Sequence, residues 1–158
     1  MKSITNYINE KLKIRPSKTK QYFPKTKEEL VRIIDKTITE MGFNCDLNFI
    51  DTSKITDMTR LFDASDNGCC SKEYDTKNNL YEFTGDISEW DTSNVESMAY
   101  MFQFSKFNGD ISKWKVNKVY DMYAMFRDSE FARKGNTSTT HWDINLKCDT
   151  DEMFLTNF

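Results

Sequence analysis

The stretch Phe83-Thr-Gly-Asp-Ile-Ser-Glu-Trp90 returns 24 residues later as Phe107-Asn-Gly-Asp-Ile-Ser-Lys-Trp114. Over the full 24 positions the two copies share 11 identical residues, where chance predicts about one or two at roughly 5–7% usage per residue type. A unit this short cannot close a core by itself. It buries its apolar face only by stacking on its neighbours, so the period predicts a one-dimensional array, and arrays are normally binding surfaces.

Two further copies flank this pair. The first begins at Phe43 and keeps Asp46, Ile50, Asp51, Ile55, Met58, Leu61 and Phe62. The fourth begins at Phe131, keeps Trp142-Asp143-Ile144 and Met153-Phe154, and carries four extra residues, Arg133 to Asn136. A longer insertion of about 16 residues lies within Asp63 to Glu82 and contains the turn signal Asp66-Asn67-Gly68. The polar stretch Leu146 to Glu152 suits a C-terminal cap.

Within each unit two periods can be read. Val95, Met98, Met101 and Phe102 have helical spacing, as do Val119, Met122, Met125 and Phe126. Ser93 with Glu96 reads as a capping box ahead of that helix. The preceding Ile87 to Ser93 stretch suits an extended segment. The expectation is an α/β fold: a parallel-strand solenoid of about four strand-turn-helix repeats over residues 43–158.

Residues 1–42 are expected to cap it. Ile4, Tyr7, Ile8 and Leu12 have the spacing of a short amphipathic helix. Thr26 with Glu29 forms a capping box; Leu30, Ile33, Ile34, Ile38 and Met41 line one face; Gly42 follows as a stop. This second helix covers the first repeat.

The motif F-x-G-D-I-S-x-W-D-T-S-N-V-x-x-M-x-x-M-F at Phe83 to Phe102 closely resembles the BspA-like leucine-rich repeat of the mycoplasma-lipoprotein type. The likeness extends over residues 43–158. It implies a leucine-rich-repeat-like solenoid serving adhesion or protein interaction, without catalytic residues. Surface members carry a signal or lipid anchor. Here no apolar run makes a signal, and no 18-residue apolar segment occurs. A cytoplasmic, unanchored protein of bacterial or phage origin is therefore expected.

Charge divides the chain. Residues 1–40 carry 10 Lys/Arg against 5 Asp/Glu, whereas residues 41–158 carry 12 against 20. The acidic repeats repel nucleic acid and favour a basic protein partner. The basic segment Lys11, Lys13, Arg15, Lys18 and Lys20, interleaved with Tyr7 and Tyr22, is a candidate nucleic-acid contact. Cys45, Cys69, Cys70 and Cys148 have no zinc spacing and read as free thiols. Aligned Asp columns read as turn caps rather than calcium ligands. With one histidine, no phosphate loop and no dinucleotide fingerprint, no enzyme, cofactor or metal is expected.

The recurring Phe, Trp and Met columns read as core. Columns that fail to repeat are the candidate binding residues. Tyr100, Phe104, Tyr120 and Tyr123 face Ala124, Asp128, Glu96 and Ala99 in the sister copy. Exposed aromatics of this kind anchor interfaces. With the 63–82 insertion they define the expected binding surface of a monomeric, non-catalytic module that masks a protein partner. Two other readings follow from the same residues: a mobile-element inhibitor of a nucleic-acid-guided, CRISPR-type defence complex, and a surface adhesin lacking its signal.

Overall fold

The computed structural model describes residues 20–65, 74, 76 and 79–157. The helix expected over residues 1–14 and the turn at Asp66-Asn67-Gly68 lie outside them. Helix α1 spans Lys27–Met41. Thr26 caps it by accepting from the Glu29 amide (3.2 Å), while the Glu29 carboxylate accepts from the Lys25 amide (2.7 Å). Gly42, at φ 88°, ends it and donates to the Ile38 carbonyl (2.8 Å). The buried face is Leu30, Val31, Ile34 and Ile38. Met41 falls outside that face and is 54% exposed; Val31 takes its place.

The four copies form four coils, beginning at Phe43, Phe83, Phe107 and Phe131, that stack in parallel. Bridges join Asp57 to Ser97, Ser97 to Asp121 and Asp121 to Asp149. These steps of 40, 24 and 28 residues carry the period plus the two insertions. The extra residues of the fourth copy begin at the last residue of the short helix α2, Glu130–Arg133, which Ser129 caps, and include Gly135 at φ 61°.

The expected strand-turn-helix repeat is not what forms. Among the described residues there is no strand, only isolated bridges, and the sole other helix is a 3-10 turn at Leu80–Glu82. The leucine-rich-repeat-like solenoid is thus corrected to coils built of turns. Two physical causes are visible. Asp side chains close a turn every few residues by accepting the N–H two positions on: Asp46 from Asn48, Asp51 from Ser53, Asp57 from Thr59, with equivalents in later coils. Such local closure competes with a strand ladder. In the Met-x-x-Met-Phe stretch, the amides of Met98, Tyr100, Phe102 and Phe104 donate to carbonyls of the next coil instead of four residues back. Left-handed backbone at Arg60, Tyr100, Ala124 and Glu152 (φ 51–58°) makes that possible and forbids a helix. Ser93 accordingly opens a turn, with no helix behind its capping box.

The columns themselves are core. Phe62, Phe102, Phe126 and Phe154 stack at 5.4, 5.5 and 5.4 Å with nearly parallel rings. Trp90, Trp114 and Trp142 stack at 6.4 Å, each indole donating to a carbonyl of the preceding coil. That bond satisfies the one polar atom of an otherwise apolar side chain. The polar cap expected at the last copy does not seal it. Leu146 is fully exposed, and Phe154 and Leu155 are 47% and 41% exposed. The polar residues there occupy turn corners and leave the outer side of the core uncovered.

Candidate binding face

The left-handed column holds Arg60, Tyr100, Ala124 and Glu152 on the four coils in turn, and the third-coil member, Ala124, is buried. The Arg60 guanidinium lies 4.0 Å over the Tyr100 ring. Tyr100 meets Tyr123 edge-on at 5.2 Å. The Tyr123 hydroxyl donates to Glu152, whose carboxylate pushes the phenol's pKa upward. Glu152 in turn accepts from Arg127 (2.5 Å). Arg60 is anchored on its far side by buried Asp63 (2.7 Å). The result is one ladder, Arg60-Tyr100-Tyr123-Glu152-Arg127, crossing all four coils. Non-glycine left-handed backbone costs of order 1–3 kcal/mol per residue, and three ladder members, Arg60, Tyr100 and Glu152, carry it.

Of the four aromatic residues singled out by sequence, the fold brings Tyr100 and Tyr123 into contact. Phe104 and Tyr120 stand separately, 43% and 57% exposed; among the described residues neither makes a ring contact with the pair. Arg60, Glu152 and Arg127 were missed. The signal was present: Arg60 and Glu152 share the Tyr100 column once the two insertions are counted.

Lys20 is engaged elsewhere. Its ammonium donates to the carbonyls of Asn48 (2.7 Å), Ile50 (3.1 Å) and Glu89 (3.3 Å), and beside it Tyr22 bridges Ile50. It seals turns rather than facing a phosphate. Lys11, Lys13, Arg15 and Lys18 lie outside the described residues, as do Cys69, Cys70 and most of the insertion.

Other chemistry is sparse. Burial pushes the Cys45 thiol up to about 11, far from thiolate reactivity. Burial raises Cys148 as well, and its thiol lies against the Asp149 carbonyl (3.6 Å). Among the described residues no His/Cys/Asp/Glu cluster could hold a metal. A groove of about 480 Å³ runs over Gly85 and Gly109 beside Asp86 and Asp110, but both carboxylates already accept the Ser88 and Ser112 amides. No helix among the described residues is long and apolar enough to cross a membrane.

A stack of short repeats with a charged aromatic ladder on one side is the class of molecule this geometry defines. The chain belongs to the family described as Mycoplasma protein of unknown function, DUF285, whose pattern covers residues 36–157. That agrees at the coarse level with the resemblance seen in the repeats. No curated protein and no solved structure matches it.

Proposed function

We propose that this protein is a non-catalytic interaction module that binds and masks a partner protein through the Arg60-Tyr100-Tyr123-Glu152-Arg127 ladder, with Phe104 and Tyr120 as further anchors. The observation that carries the reading is a division of labour between columns. The apolar Phe and Met columns that repeat, those of Phe62 and Met58, are buried through the first three coils, whereas Tyr120 and Phe104, which break the repeat, are exposed. A scaffold needs its core residues at every coil but needs partner contacts only where the partner sits. Tyr and Arg are the residues that dominate interface energetics. The finer assignment to BspA-like repeats belongs to this proposal and rests on the recurrence of F-x-G-D-I-S-x-W in register. The excess of acid over residues 41–158 favours a partner with a basic surface, so binding weakens as salt rises.

The test is affinity capture with the intact protein and with a Tyr100→Ala/Tyr120→Ala/Tyr123→Ala variant whose circular dichroism is unchanged. One specific protein should be recovered by the former and lost by the latter. Recovery of no specific protein, or full capture by the variant, sinks the reading.

A further inference from the structure

Lys20 fills a cup that the fold builds more than once. Its ammonium lies on the carbonyls of Asn48 and Ile50 in the first coil and of Glu89 in the second. Hydrogen bonds from Ser53 and Ser93, and then the charge of Lys20, hold Asp51 and Asp91 below their ordinary range, so two carboxylates flank the cation. The same turn recurs one coil on. The Thr52 and Thr92 hydroxyls donate to the Asp91 and Lys115 carbonyls, both at 3.0 Å. The Trp90 and Trp114 indoles donate to the Leu47 and Ile87 carbonyls, both at 3.1 Å. The amides of Ile50, Trp90 and Trp114 each donate three residues back, again at 3.1 Å. The counterparts of Asn48, Ile50 and Glu89 are therefore Ser88, Trp90 and Lys113. These three residues line a cavity of about 190 Å³ between the second and third coils. Among the described residues, none of their carbonyls has a donor.

One residue changes what the second cup accepts. The column that holds Asp51 and Asp91 continues as Lys115. Lys115 lines the cavity, and its charge adds to the Ser93 hydrogen bonds in holding Asp91 down. Lys113 is already engaged by Glu89. The first cup, between two acids, suits a bare cation, which Lys20 supplies. The second lies between one acid and one base. A bare ammonium there meets the Lys115 charge, and a bare carboxylate meets Asp91 and the negative ends of three carbonyl dipoles. A ligand that carries both charges a few bonds apart satisfies both sides, and its ammonium donates to carbonyls more strongly than a neutral N–H does. We propose that the cavity between the second and third coils binds a small zwitterion of the α-amino acid class. Its ammonium lies on the Ser88, Trp90 and Lys113 carbonyls beside Asp91, and its carboxylate on Lys115. The volume admits an amino acid with a small side chain. This site shares no residue with the tyrosine ladder and stands or falls independently of it.

The probe is glycine, titrated to millimolar concentration into the isotope-labelled full chain at low salt, where exposed charges are least screened. The amides of Glu89, Asp91 and Trp114 share peptide units with the three carbonyls and should shift, while those of Tyr100 and Tyr123 should not. Butylammonium and acetate, each carrying one of the two charges, should bind at least about tenfold more weakly than glycine. Asp91→Asn keeps an oxygen to accept from the Ser93 amide and should weaken glycine at least about tenfold. Lys115→Asp restores the residue of the two preceding coils and should reverse the preference, so that butylammonium outbinds glycine. No shift of the three amides, shifts centred on Tyr100 and Tyr123, or equal binding of glycine by Asp91→Asn overturn the proposal. Equal binding of butylammonium overturns it in favour of a plain cation cup, and equal binding of acetate in favour of an anion site on the lysines. A Lys115→Asp variant that still prefers glycine overturns it as well.

Discussion

Gly85 and Gly109 occupy one column of the copied motif, and neither is there for a left-handed turn. A Cβ on Gly85 would lie 1.9 Å from the Cys45 carbonyl oxygen of the adjacent coil. On Gly109 it would press on the Phe107 ring at 2.8 Å, with the nearest backbone, the Gly85 carbonyl, at an ordinary 3.6 Å. Backbone cannot yield where a ring can tilt, so the two substitutions separate. Gly85→Ala should cost at least about 3 kcal/mol, and Gly109→Ala about 1–3 kcal/mol, measured by urea unfolding; equal costs would refute the steric account. The glycine column was legible in the sequence because it recurs. Its cause was not, since close approach of one coil to another depends on register. The same limit applies to Tyr100: its place on a non-repeating column could be read, but its half-burial under a guanidinium could not, because Arg60 reaches it only across the insertion.

At the level of the element, Met-x-x-Met-Phe has true helical spacing and forms no helix. Spacing records which residues face inward, and Met98, Met101 and Phe102 do face inward. It does not record where the amides go. Helix α1 was legible because both its caps are local side-chain and glycine signals. The turns were hidden because their left-handed residues are Arg60, Tyr100, Phe104, Ala124, Asp128 and Glu152 rather than glycine. The phenylalanine column yields a graded expectation. Phe102→Ala removes a ring held between two others and should cost about 3–5 kcal/mol. Phe154→Ala, at the open end, should cost about 1–2 kcal/mol. Thermal unfolding of both variants checks the ranking, and parity between them would contradict the open end.

Over the whole molecule, α1 seals one end of the stack and nothing described seals the other. Native-state hydrogen exchange should therefore be slowest at Met98, Tyr100 and Phe102 and fastest in the fourth coil; uniform protection would argue against the unsealed end. The aspartate turns set the response to acid. Hydrogen bonds from Ser53, Ser93 and Ser112 hold Asp51, Asp91 and Asp110 below the ordinary 3.8. A depressed folded-state value stabilises the fold above the unfolded value and loses that contribution as pH falls through the folded one. Stability should thus hold from neutral pH to about 4 and decline below it, as followed by circular dichroism; a loss beginning near pH 6 would implicate another group. One consequence of the coil-to-coil amides remains. Because the N–H groups of Met98, Tyr100, Phe102 and Phe104, like their counterparts on the first and third coils, all point toward the C-terminal coil, their peptide dipoles add along the stack axis, as they do along a helix. Along this column the fourth coil, which carries Asp149, Asp151 and Glu152, is therefore the partially positive end and the first coil the partially negative one.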